Sequence, residues 1–359
     1  MVDATVAPLR EQYHIAGMAV GIVAGGKSYV FNYGLANIAG RKPVNDRTLF
    51  ELGSISKTFT ATLASYAEVK GRLSLADPVG KYLGSLRGSR FGDVTLLELG
   101  THTPGGLPLQ VPGVIHDNDQ LLQYFRRWRP AHQPGTYRTY NNPGIGTLGL
   151  ITAKSMSARF ENLMERRLLP ALGMRNTYLN VPAGRMSDYA EGYVGAGTPV
   201  RMKARVLWQE AYGIRSTAAD MTRFLQANLG LAALDPQLRR AILATHTGYF
   251  QAGPMTQDLI WEQYPYPVAL QQLLAGNSDA MLFEASPVTR LSPPEQPRQD
   301  VWVNKTGSTD GFGAYIAFIP AKRLGIVILA NRSYPIPARV TAAYRILTAL
   351  ARADSGATQ

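Results

Sequence analysis

The 359-residue chain contains no cysteine, which excludes disulfide bonds, thiol nucleophiles and zinc sites built on cysteine. Histidine is also scarce, and no two of the five histidines stand at the HxxxH or HExxH spacing typical of a metal site. These residues are His14, His102, His116, His132 and His246. We therefore expect the histidines to be structural or solvated, and the sequence indicates neither a metal centre nor another cofactor.

Long apolar runs are missing as well. The longest ones, such as GMAVGIVAGG and LGIVILA, are too short to span a bilayer and are typical of β-strands. The N-terminal stretch MVDATVAPLREQYHI has no basic start followed by an apolar core, so it does not indicate a signal peptide. On these grounds the chain is either cytoplasmic or the mature form of an exported protein with an added Met1.

Acidic residues are in the minority, and the formal net charge is +12 at pH 7. Such a surface favours anionic partners. The basic clusters are short and scattered: RRWR at 126–129 and the pairs Arg166-Arg167 and Arg239-Arg240. Because no long basic tail or aromatic–basic alternation accompanies them, the pattern argues against nucleic-acid binding.

Strand-like segments stand at both ends of the sequence. A predicted helix over 2–14 is followed by AVGIVAGGKSYVFNYG, which is typical of two strands around a Gly-Gly turn. Near the C-terminus, VWVNKTG, GAYIAFIP and LGIVILAN are joined by short turns and predict an antiparallel meander. A helix from about Pro337 to Ala351 closes the chain, with the proline in its first turn.

The middle of the sequence, roughly 71–198, is mostly helix and loop. Strands at the ends and helices between them predict an α+β fold, in which an antiparallel sheet flanked by helices carries an inserted all-helical lobe. We expect one domain over 1–359, with an α/β lobe built from 1–70 and 199–359 and a helical lobe from 71–198.

The stretch FELGSISKTFTATL, residues 50–63, places Ser54 three positions before Lys57. Positions i and i+3 of a helix share a face, so the hydroxyl and the amine come within reach of each other. Gly53 permits the tight turn that puts Ser54 in the first helical turn, where free backbone N–H groups are available. Burial would push the lysine toward its neutral form, which can accept a proton from serine. A serine cap beside an exposed lysine explains the spacing as well.

A second motif is Tyr140–Asn142, which follows PGTYRT. A tyrosine two residues before an asparagine puts both side chains on one side of an extended segment. A tyrosine near cations can act as a base, and an asparagine can orient an amide. Residues Tyr178–Asn180 repeat the pattern, and local sequence does not rank the two.

The third motif, Lys305–Gly307, ends the predicted strand VWVNKTG. Its lysine and threonine could bind a carboxylate, and its glycine would let a ligand backbone approach. A solvated lysine at a strand end explains it equally well. Residues 144–149, GIGTLG, match the dinucleotide fingerprint GxGxxG, but they follow Asn-Asn-Pro and no βαβ unit surrounds them, which argues against nucleotide binding.

Taken in order over roughly 250 residues, the three motifs resemble the signature of the serine β-lactamase and penicillin-binding protein superfamily. The surrounding sequence is similar to class C (AmpC-type) β-lactamases nearly from end to end. The similar segments are LFELGSISKTFTATL, LPLQVPG, PGTYRTYNNPGIGTLG, NTYLNVP, EAYGIRST, KTGSTDGFGAYIAFIPAKRLGIVILAN and YPIPARV. The family's tyrosine lies in the context PGT-x-R-x-Y-x-N, which selects Tyr140 over Tyr178.

This resemblance implies an active site between an α/β lobe and a helical lobe. It implies hydrolysis of β-lactam antibiotics, both cephalosporins and penicillins, through a covalent acyl-enzyme and without a metal or cofactor. It further implies a periplasmic location, for which this sequence would be the mature form. The partner would be a small-molecule β-lactam, with no nucleic acid or membrane partner, and the family default is a monomer.

By position, the resemblance assigns ten residues to the site. Four carry the chemistry: Ser54 as acylated nucleophile, Lys57 and Tyr140 as a proton-handling pair, and Lys305 on the opposite wall. The other six bind the substrate: Gln110 and Asn142 at its side-chain amide, Thr306 and Arg339 at its carboxylate, Ser308 at the oxyanion with the Ser54 N–H, and Tyr212 as an aromatic wall. Which member of the proton-handling pair is the base stays open.

The chain departs from the family pattern at two places. Ile336 stands where many members carry an asparagine amide that helps to bind the substrate carboxylate, so the remaining polar residues there must contribute more. Residues 202–205, MKAR, replace a usual Ser-Pro-Gly, and Trp208 is added in the same loop. Because this loop borders the side-chain pocket in the family, we expect an altered cephalosporin profile.

Two alternatives remain. A D-alanyl-D-alanine peptidase or a β-lactamase-like esterase would keep Ser-x-x-Lys and the tyrosine, but usually lacks the match around LPLQVPG and EAYGIRST. A non-catalytic penicillin sensor or cell-wall binding module would have no chemical need for Tyr140 together with Lys305. Turnover of nitrocefin separates them, because a peptidase acylates and then stalls and a sensor deacylates slowly.

Overall fold

A computed structural model describes residues 1–356 of the chain. The strands are β1 (Gly17–Ala24), β2 (Lys27–Asn37), β3 (Lys42–Pro43), β4 (Phe50–Glu51), β5 (Tyr137–Arg138), β6 (Gly192–Val194), β7 (Thr198–Val200), β8 (Arg215–Ser216), β9 (Gly248–Ala252), β10 (Met255–Gln257), β11 (Glu262–Pro265), β12 (Ser286–Glu295), β13 (Val301–Ser308), β14 (Gly313–Ile319) and β15 (Leu324–Ala330). The helices are α1 (Val2–Gln12), α2 (Ser56–Val69), α3 (Val79–Tyr82), α4 (Leu96–Gly100), α5 (Asn118–Arg127), α6 (Asn142–Ser155), α7 (Phe160–Leu163), α8 (Leu169–Ala171), α9 (Trp208–Tyr212), α10 (Ala218–Asn228), α11 (Pro236–Ala244), α12 (Leu270–Gly276), α13 (Asp279–Phe283) and α14 (Ile336–Gly356).

Eleven of these strands form one sheet in the order β3-β2-β1-β15-β14-β13-β11-β10-β9-β12-β5. Neighbouring strands pair antiparallel; Val20 of β1 lies opposite Ile328 of β15, which in turn lies opposite Tyr315 of β14. The first and last strands of the chain are therefore neighbours inside the sheet. This arrangement confirms the predicted α+β fold with an antiparallel sheet.

The central strands are buried on both faces because helices cover both sides of the sheet. Side chains alternate along a strand. Accordingly, Ile316 and Phe318 of β14 join a core beneath α2, α10 and α11. Their neighbours Tyr315 and Ala317 join a second core under α1 and α14. Burial on both faces explains why these strands are continuous apolar runs in the sequence.

Helix α2 lies between the sheet and the helical lobe. Phe59 and Leu63 pack into the core beneath the sheet. Ala61 and Ala64, on another face of the helix, pack into a third core formed largely by the helical lobe. Because both sides are covered, the helix that follows Ser54 is held in place by two cores at once.

The positions of the sheet strands in the sequence can be compared with the predicted division into two lobes. Ten of its eleven strands come from residues 1–70 and 199–359, and one, β5, comes from 71–198. The core of the helical lobe nevertheless includes Leu207 and Leu259, so the lobes interlock. The division into an α/β lobe (1–70 and 199–359) and a helical lobe (71–198) stays a proposal.

The GIGTLG segment lies inside α6 and not at a strand-to-helix turn. A Cβ added at Gly146 would lie 2.7 Å from Leu207 Cβ, and one at Gly149 would lie 2.7 Å from Glu210 Cγ. These glycines therefore allow α6 to approach α9 closely, which is a packing role. Across residues 1–356, no helix has the length and apolar character needed to cross a bilayer.

Candidate active site

Ser54 lies in a 3-10 turn, Gly53–Ile55, that leads directly into α2. Gly53 has φ +53°, a left-handed conformation that glycine adopts without strain. Lys57 Nζ donates hydrogen bonds to Ser54 Oγ at 2.8 Å and to the Ala211 carbonyl at 3.0 Å. The Ser-x-x-Lys spacing thus brings the hydroxyl and the amine together, with the lysine fully buried.

The surroundings of Lys57 favour its neutral form. Burial lowers the pKa of Lys57 to about 8; Tyr140 opposes this shift, whereas the nearby Lys305 ammonium adds to it. An amine with this pKa is partly unprotonated near neutral pH. Lys57 can therefore accept the proton of Ser54, to which it is already hydrogen-bonded.

Tyr140 lies among three cations. Lys305 Nζ, Lys57 Nζ and Arg138 Cζ are 5.0, 5.2 and 5.5 Å from the centre of its ring. Burial by itself raises the pKa of Tyr140, but Lys305 and Lys57 outweigh it and lower the pKa to about 8, with help from a hydrogen bond to Ser54. The phenol can therefore lose and regain a proton under mild conditions.

A buried carboxylate holds two of these cations. Glu262 Oε1 accepts from Arg138 Nη2 at 3.2 Å and from Lys305 Nζ at 3.3 Å. Asn304 Nδ2 donates to the other oxygen at 3.2 Å, because Glu262 of β11 lies opposite Asn304 of β13. One negative charge therefore faces two positive ones, which leaves a net positive field at Tyr140.

Sequence reasoning missed both Arg138 and Glu262. Arg138 stands two residues before Tyr140, and alternate residues of an extended segment share a face, so the spacing could have indicated it. Glu262 lies 43 residues before Lys305 and carries no local signal. Only the pairing of β11 with β13 brings it to the site.

His102 packs against Tyr140, with ring centres 4.3 Å apart. Its Nδ1 accepts a hydrogen bond from the Asn141 N–H at 3.3 Å, and its Nε2 is buried without a hydrogen-bond partner. Burial lowers the pKa of His102 well below its ordinary value, and Arg138 and the two lysines act in the same direction. The neutral ring thus holds the Tyr140 segment in position, a structural role as expected for a histidine here, but one at the site itself.

A cleft of about 480 Å³ opens above these groups. Seven of the ten predicted site residues line it: Ser54, Gln110, Tyr140, Asn142, Tyr212, Thr306 and Ser308. Lys57 and Lys305 lie buried beneath its floor and contact Ser54 and the Tyr140 ring. The competing Tyr178 does not line the cleft, and its hydroxyl donates to the Arg175 carbonyl at 3.1 Å.

The sequence pattern predicted that the Tyr140–Asn142 segment is extended throughout. In the structure it is not. Asn141 caps α6 by accepting the Gly144 N–H at 2.7 Å, so Asn142 is already helical. Both Tyr140 and Asn142 still face the cleft. Asn142 Nδ2 donates to Gln110 Oε1 at 2.8 Å, and Asn142 Oδ1 is buried without a partner. That oxygen can accept an N–H from a ligand.

The end of β13 meets the turn that carries Ser54. A Cβ added at Gly53 would lie 2.5 Å from the backbone nitrogen of Ser308. A Cβ added at Gly307 would collide with the Leu52 carbonyl and lie 3.1 Å from the Ile55 nitrogen. Two glycines therefore allow the strand edge and the turn that carries Ser54 to approach, which brings the backbone of Ser308 next to that of Ser54.

Arg339 does not line the cleft, unlike the other substrate-binding candidates. Its side chain is buried, and Nη1 donates to the Gly307 carbonyl at 2.7 Å and to Ser308 Oγ at 2.8 Å. The arginine thus holds the end of β13, and a direct contact with a substrate carboxylate stays a prediction. Ile336, at the start of α14, does line the cleft.

The loop that departs from the family pattern also reaches the cleft. Met202, Lys203 and Arg205 line it. The Met202 N–H donates to Glu51 Oε1 at 2.8 Å, and Thr309 Oγ1 donates to Glu51 Oε2 at 2.5 Å. One buried carboxylate therefore fixes this loop relative to the segment that follows Ser308. Trp208 lies outside the cleft lining, with Arg215 Cζ 5.1 Å from its ring centre.

Within residues 1–356, no group of three or more histidine, aspartate or glutamate side chains is arranged to hold a metal ion. The arrangement of a buried amine, a phenol of lowered pKa and a serine hydroxyl is instead suited to acyl transfer.

Known proteins are similar to this chain in sequence and in fold. The β-lactamase family model matches residues 2–351. A β-lactamase of Lysobacter lactamgenus is 51% identical over 346 residues, which cover 96% of this chain and 90% of the relative. A β-lactamase of Pseudomonas fluorescens is 49% identical over 350 residues, 98% of each chain.

Solved structures agree with these matches. A class C β-lactamase in complex with cefoxitin is 50% identical, with a TM-score of 0.95 over 97% of both chains. A structure described as the D-alanine carboxypeptidase AmpC from Burkholderia cenocepacia is 59% identical, with a TM-score of 0.94 over 97% of both chains. These matches confirm the family expected from the sequence motifs. The chain belongs to the β-lactamase family and, within it, to the class C (AmpC-type) β-lactamases.

Proposed function

We propose that this β-lactamase hydrolyses its substrates through an ester formed on Ser54. The observation that carries the proposal is the 2.8 Å hydrogen bond from the fully buried Lys57 to Ser54 Oγ, at the floor of the cleft. A serine beside an amine of lowered pKa is an activated nucleophile. No other serine in the cleft lining, among the described residues, has a lysine partner of this kind.

In the first half-reaction, Ser54 Oγ attacks the lactam carbonyl carbon as its proton passes to Lys57 or Tyr140. The carbonyl oxygen becomes an oxyanion between the backbone N–H groups of Ser54 and Ser308, each worth about 3–4 kcal/mol by analogy with other oxyanion holes. The lactam C–N bond then breaks. The ring nitrogen takes the proton, and the acyl group remains on Ser54.

In the second half-reaction, a water attacks the ester carbonyl and gives its proton to Tyr140. A base should have a pKa near the working pH. The cations around Tyr140 lower its pKa to about 8, although burial alone would raise it. When the ester breaks, Ser54 regains a proton and the carboxylic acid product leaves.

The walls of the cleft support the assignment of the substrate groups. The unpartnered Asn142 Oδ1, next to Gln110, can accept the side-chain amide N–H of a β-lactam. Thr306 lines the opposite wall, with Lys305 buried behind it, where a substrate carboxylate would be attracted. Tyr212 supplies an apolar surface beside the amide.

The apolar Ile336 and the 202–208 loop support an altered preference among cephalosporins. Kinetics on substrates with small and large side chains, before and after the family's Ser-Pro-Gly is grafted in place of residues 202–205, test this. An unchanged ranking of substrates would contradict it.

Mass spectrometry after mixing with a β-lactam tests the nucleophile. We expect an acyl adduct on the natural chain and none on Ser54→Ala. Ser65→Ala is the matched control, because Ser65 lies on the same helix but donates to the Ala241 carbonyl instead. A covalent adduct on Ser54→Ala would show that the assignment is wrong.

A second candidate activity is D-alanine carboxypeptidase. It is favoured by the Burkholderia cenocepacia structure, which is described by that activity and is 59% identical to this chain. Steady-state hydrolysis of nitrocefin beside a D-Ala-D-Ala peptide decides between the two. Fast nitrocefin turnover with negligible peptide cleavage excludes the peptidase, whereas comparable rates would assign both activities.

We also propose that the protein works in the periplasm as a monomer, as the resemblance to its family implies. Osmotic-shock fractionation of cells that express the full natural gene tests the location. Size-exclusion chromatography with light scattering tests the oligomeric state, and a dimer mass would contradict the second part.

A further inference from the structure

Two arginine-rich segments that are distant in sequence meet on the helical lobe. They are RGSR at 87–90 and RRWR at 126–129. Together they line a cavity of about 320 Å³ that shares no lining residue with the catalytic cleft. Its lining consists of Arg87, Gly88, Ser89, Arg90, Asp93, Arg126 and Arg129.

Buried aromatic residues hold the two segments together. Phe91 stacks on Phe125 with ring centres 3.8 Å apart and planes 2° apart, and it meets Trp128 edge-on at 5.6 Å. All three rings are buried. Each arginine segment thus has an aromatic anchor in the core while its guanidinium groups face outward, so the spacing between the segments is fixed by packing.

Backbone carbonyls orient three of the four guanidinium groups. Arg87 Nε donates to the Gly80 carbonyl at 3.2 Å, and Arg126 Nη1 donates to the Ser85 carbonyl at 2.8 Å. Arg129 Nη1 donates to the Trp128 carbonyl at 3.0 Å. A carbonyl orients a guanidinium without cancelling its charge, and the remaining N–H groups stay available.

The charge of this cluster is largely uncompensated. In the described part of the chain, none of the four arginines forms an ion pair. Four positive charges therefore face one carboxylate in the lining, that of Asp93. Arginine near a helix C-terminus is also favoured by the helix dipole, which accounts for Arg126 in the last turn of α5. It does not account for Arg87 and Arg90, which come from another segment.

We propose that this arginine cluster is a binding site for a phosphate-type oxyanion that carries at least two negative charges. Guanidinium groups bind phosphate oxygens through paired N–H donors, and pre-oriented groups lose less entropy on binding. A pyrophosphate or the phosphomonoester of a lipid headgroup has this chemistry. The site is independent of the proposed catalytic reaction.

Isothermal titration with pyrophosphate at low salt tests the site. We expect the Arg87→Ala/Arg90→Ala variant to bind about tenfold more weakly, as loss of two charge-assisted contacts implies. Arg239→Ala/Arg240→Ala is the matched control, since it removes the same charge from an exposed pair on α11, and its affinity should stay within about twofold. Equal losses in both variants, or no binding by the natural chain, would overturn the proposal.

Two further variants separate binding from folding. Arg90 does not share the backbone contacts described for the other three arginines, so Arg90→Ala should weaken binding and leave the melting temperature unchanged. Arg126→Lys keeps the charge but loses the paired donors, and should bind more weakly than the natural chain. Nitrocefin turnover should be the same in all variants, because none of these residues lines the cleft. Full pyrophosphate affinity in Arg90→Ala and Arg126→Lys would contradict the site.

Vesicle flotation distinguishes the two sources of the ligand. Phosphatidylcholine vesicles with phosphatidic acid, which has a phosphomonoester headgroup, are compared with phosphatidylcholine alone. Flotation that needs phosphatidic acid and is lost in Arg87→Ala/Arg90→Ala, but kept in Arg239→Ala/Arg240→Ala, assigns a lipid headgroup. Pyrophosphate binding without flotation assigns a soluble anion, and absence of both overturns the site.

Discussion

The turn between β10 and β11 buries a carboxyl group without a partner. Asp258 is fully buried, and neither of its carboxyl oxygens has a hydrogen-bond partner. Burial raises the pKa of Asp258 well above its ordinary value, and the nearby Glu295 and Glu262 raise it further. The folded protein therefore keeps this group protonated at a pH at which the unfolded chain ionises it.

Replacement of Asp258 by asparagine removes the group that takes up a proton when the chain folds. Because the pKa is higher in the folded state, the contribution of Asp258 to stability is fully present below the unfolded pKa of about 3.9 and is lost as the pH rises toward the folded pKa. Over that window the free energy of unfolding falls by about 1.4 kcal/mol per pH unit from this group alone. Asp258→Asn cannot titrate, so its curve should lack this component.

Urea unfolding of the natural chain and of Asp258→Asn at pH 5 and pH 6 measures the effect. We expect the difference in unfolding free energy between the two proteins to shift in favour of the variant at the higher pH, with about 1.4 kcal/mol per pH unit as the upper limit. The change of this difference with pH tests the reasoning. Its size at a single pH does not, because the asparagine amide also leaves buried polar atoms unpaired, and that cost does not depend on pH. Titrating groups that do not interact with Asp258 contribute equally in both proteins and cancel in the comparison.

Asp77→Asn is the matched control. Asp77 accepts from Lys81 Nζ at 2.8 Å and from the Tyr82 hydroxyl at 2.6 Å. Burial alone would raise the pKa of Asp77, but these partners lower it, so the group is ionised in both states at pH 5 and 6. Its replacement should reduce stability equally at both values. A difference for Asp258→Asn that is also constant between them would refute the reasoning.

Three further predictions concern the active site. Gly53→Ala should lower kcat/KM for nitrocefin at least about a hundredfold, because the new Cβ would lie 2.5 Å from the Ser308 nitrogen and displace the proposed oxyanion donor. Gly71→Ala, which has φ +66° but open space around it, should cost only ~1 kcal/mol of stability and keep the activity. Burial raises the pKa of Tyr140, and Lys305 is the group that does most to lower it again. Lys305→Met should therefore raise this pKa and move the acidic limb of the pH profile of kcat/KM to higher pH. An acidic limb that does not move would contradict this. His102→Asn should reduce kcat about tenfold with KM nearly unchanged, since a misplaced Tyr140 slows the chemical steps. His132→Asn, whose ring stacks on Tyr137 at 4.0 Å, should change neither.

Much of the fold could be read from local patterns. The strand sequences GAYIAFI (β14) and LGIVILA (β15) carry almost no polar side chains because both faces of these strands are covered, and the short turn between them leaves only antiparallel pairing. The extended interpretation of Asn142 was wrong because its neighbour Asn141 accepts the Gly144 N–H and starts a helix there. A cap of this kind competes with the extended conformation, and the Tyr-x-Asn pattern does not reveal which of them forms.

The contact between Ser54 and Lys57 could also be predicted, because one helical turn sets the distance between them. The environment of Tyr140 could not. Arg138 reaches it along its own segment, whereas Lys305 comes from β13 and is held by Glu262 from β11. The placement of Arg339 against Ser308, and not in the cleft, likewise follows from the packing of α14 on the sheet.

The sequence by itself determined the strand and helix segments, the hydroxyl and amine on one turn, and the tight turn that Gly53 permits before α2. These depend on backbone geometry over a few residues. The tertiary structure decided which cations surround the phenol and which arginines share a cavity. Those relations depend on strand register and core packing between segments tens of residues apart, and short-range backbone preferences contain no information about either.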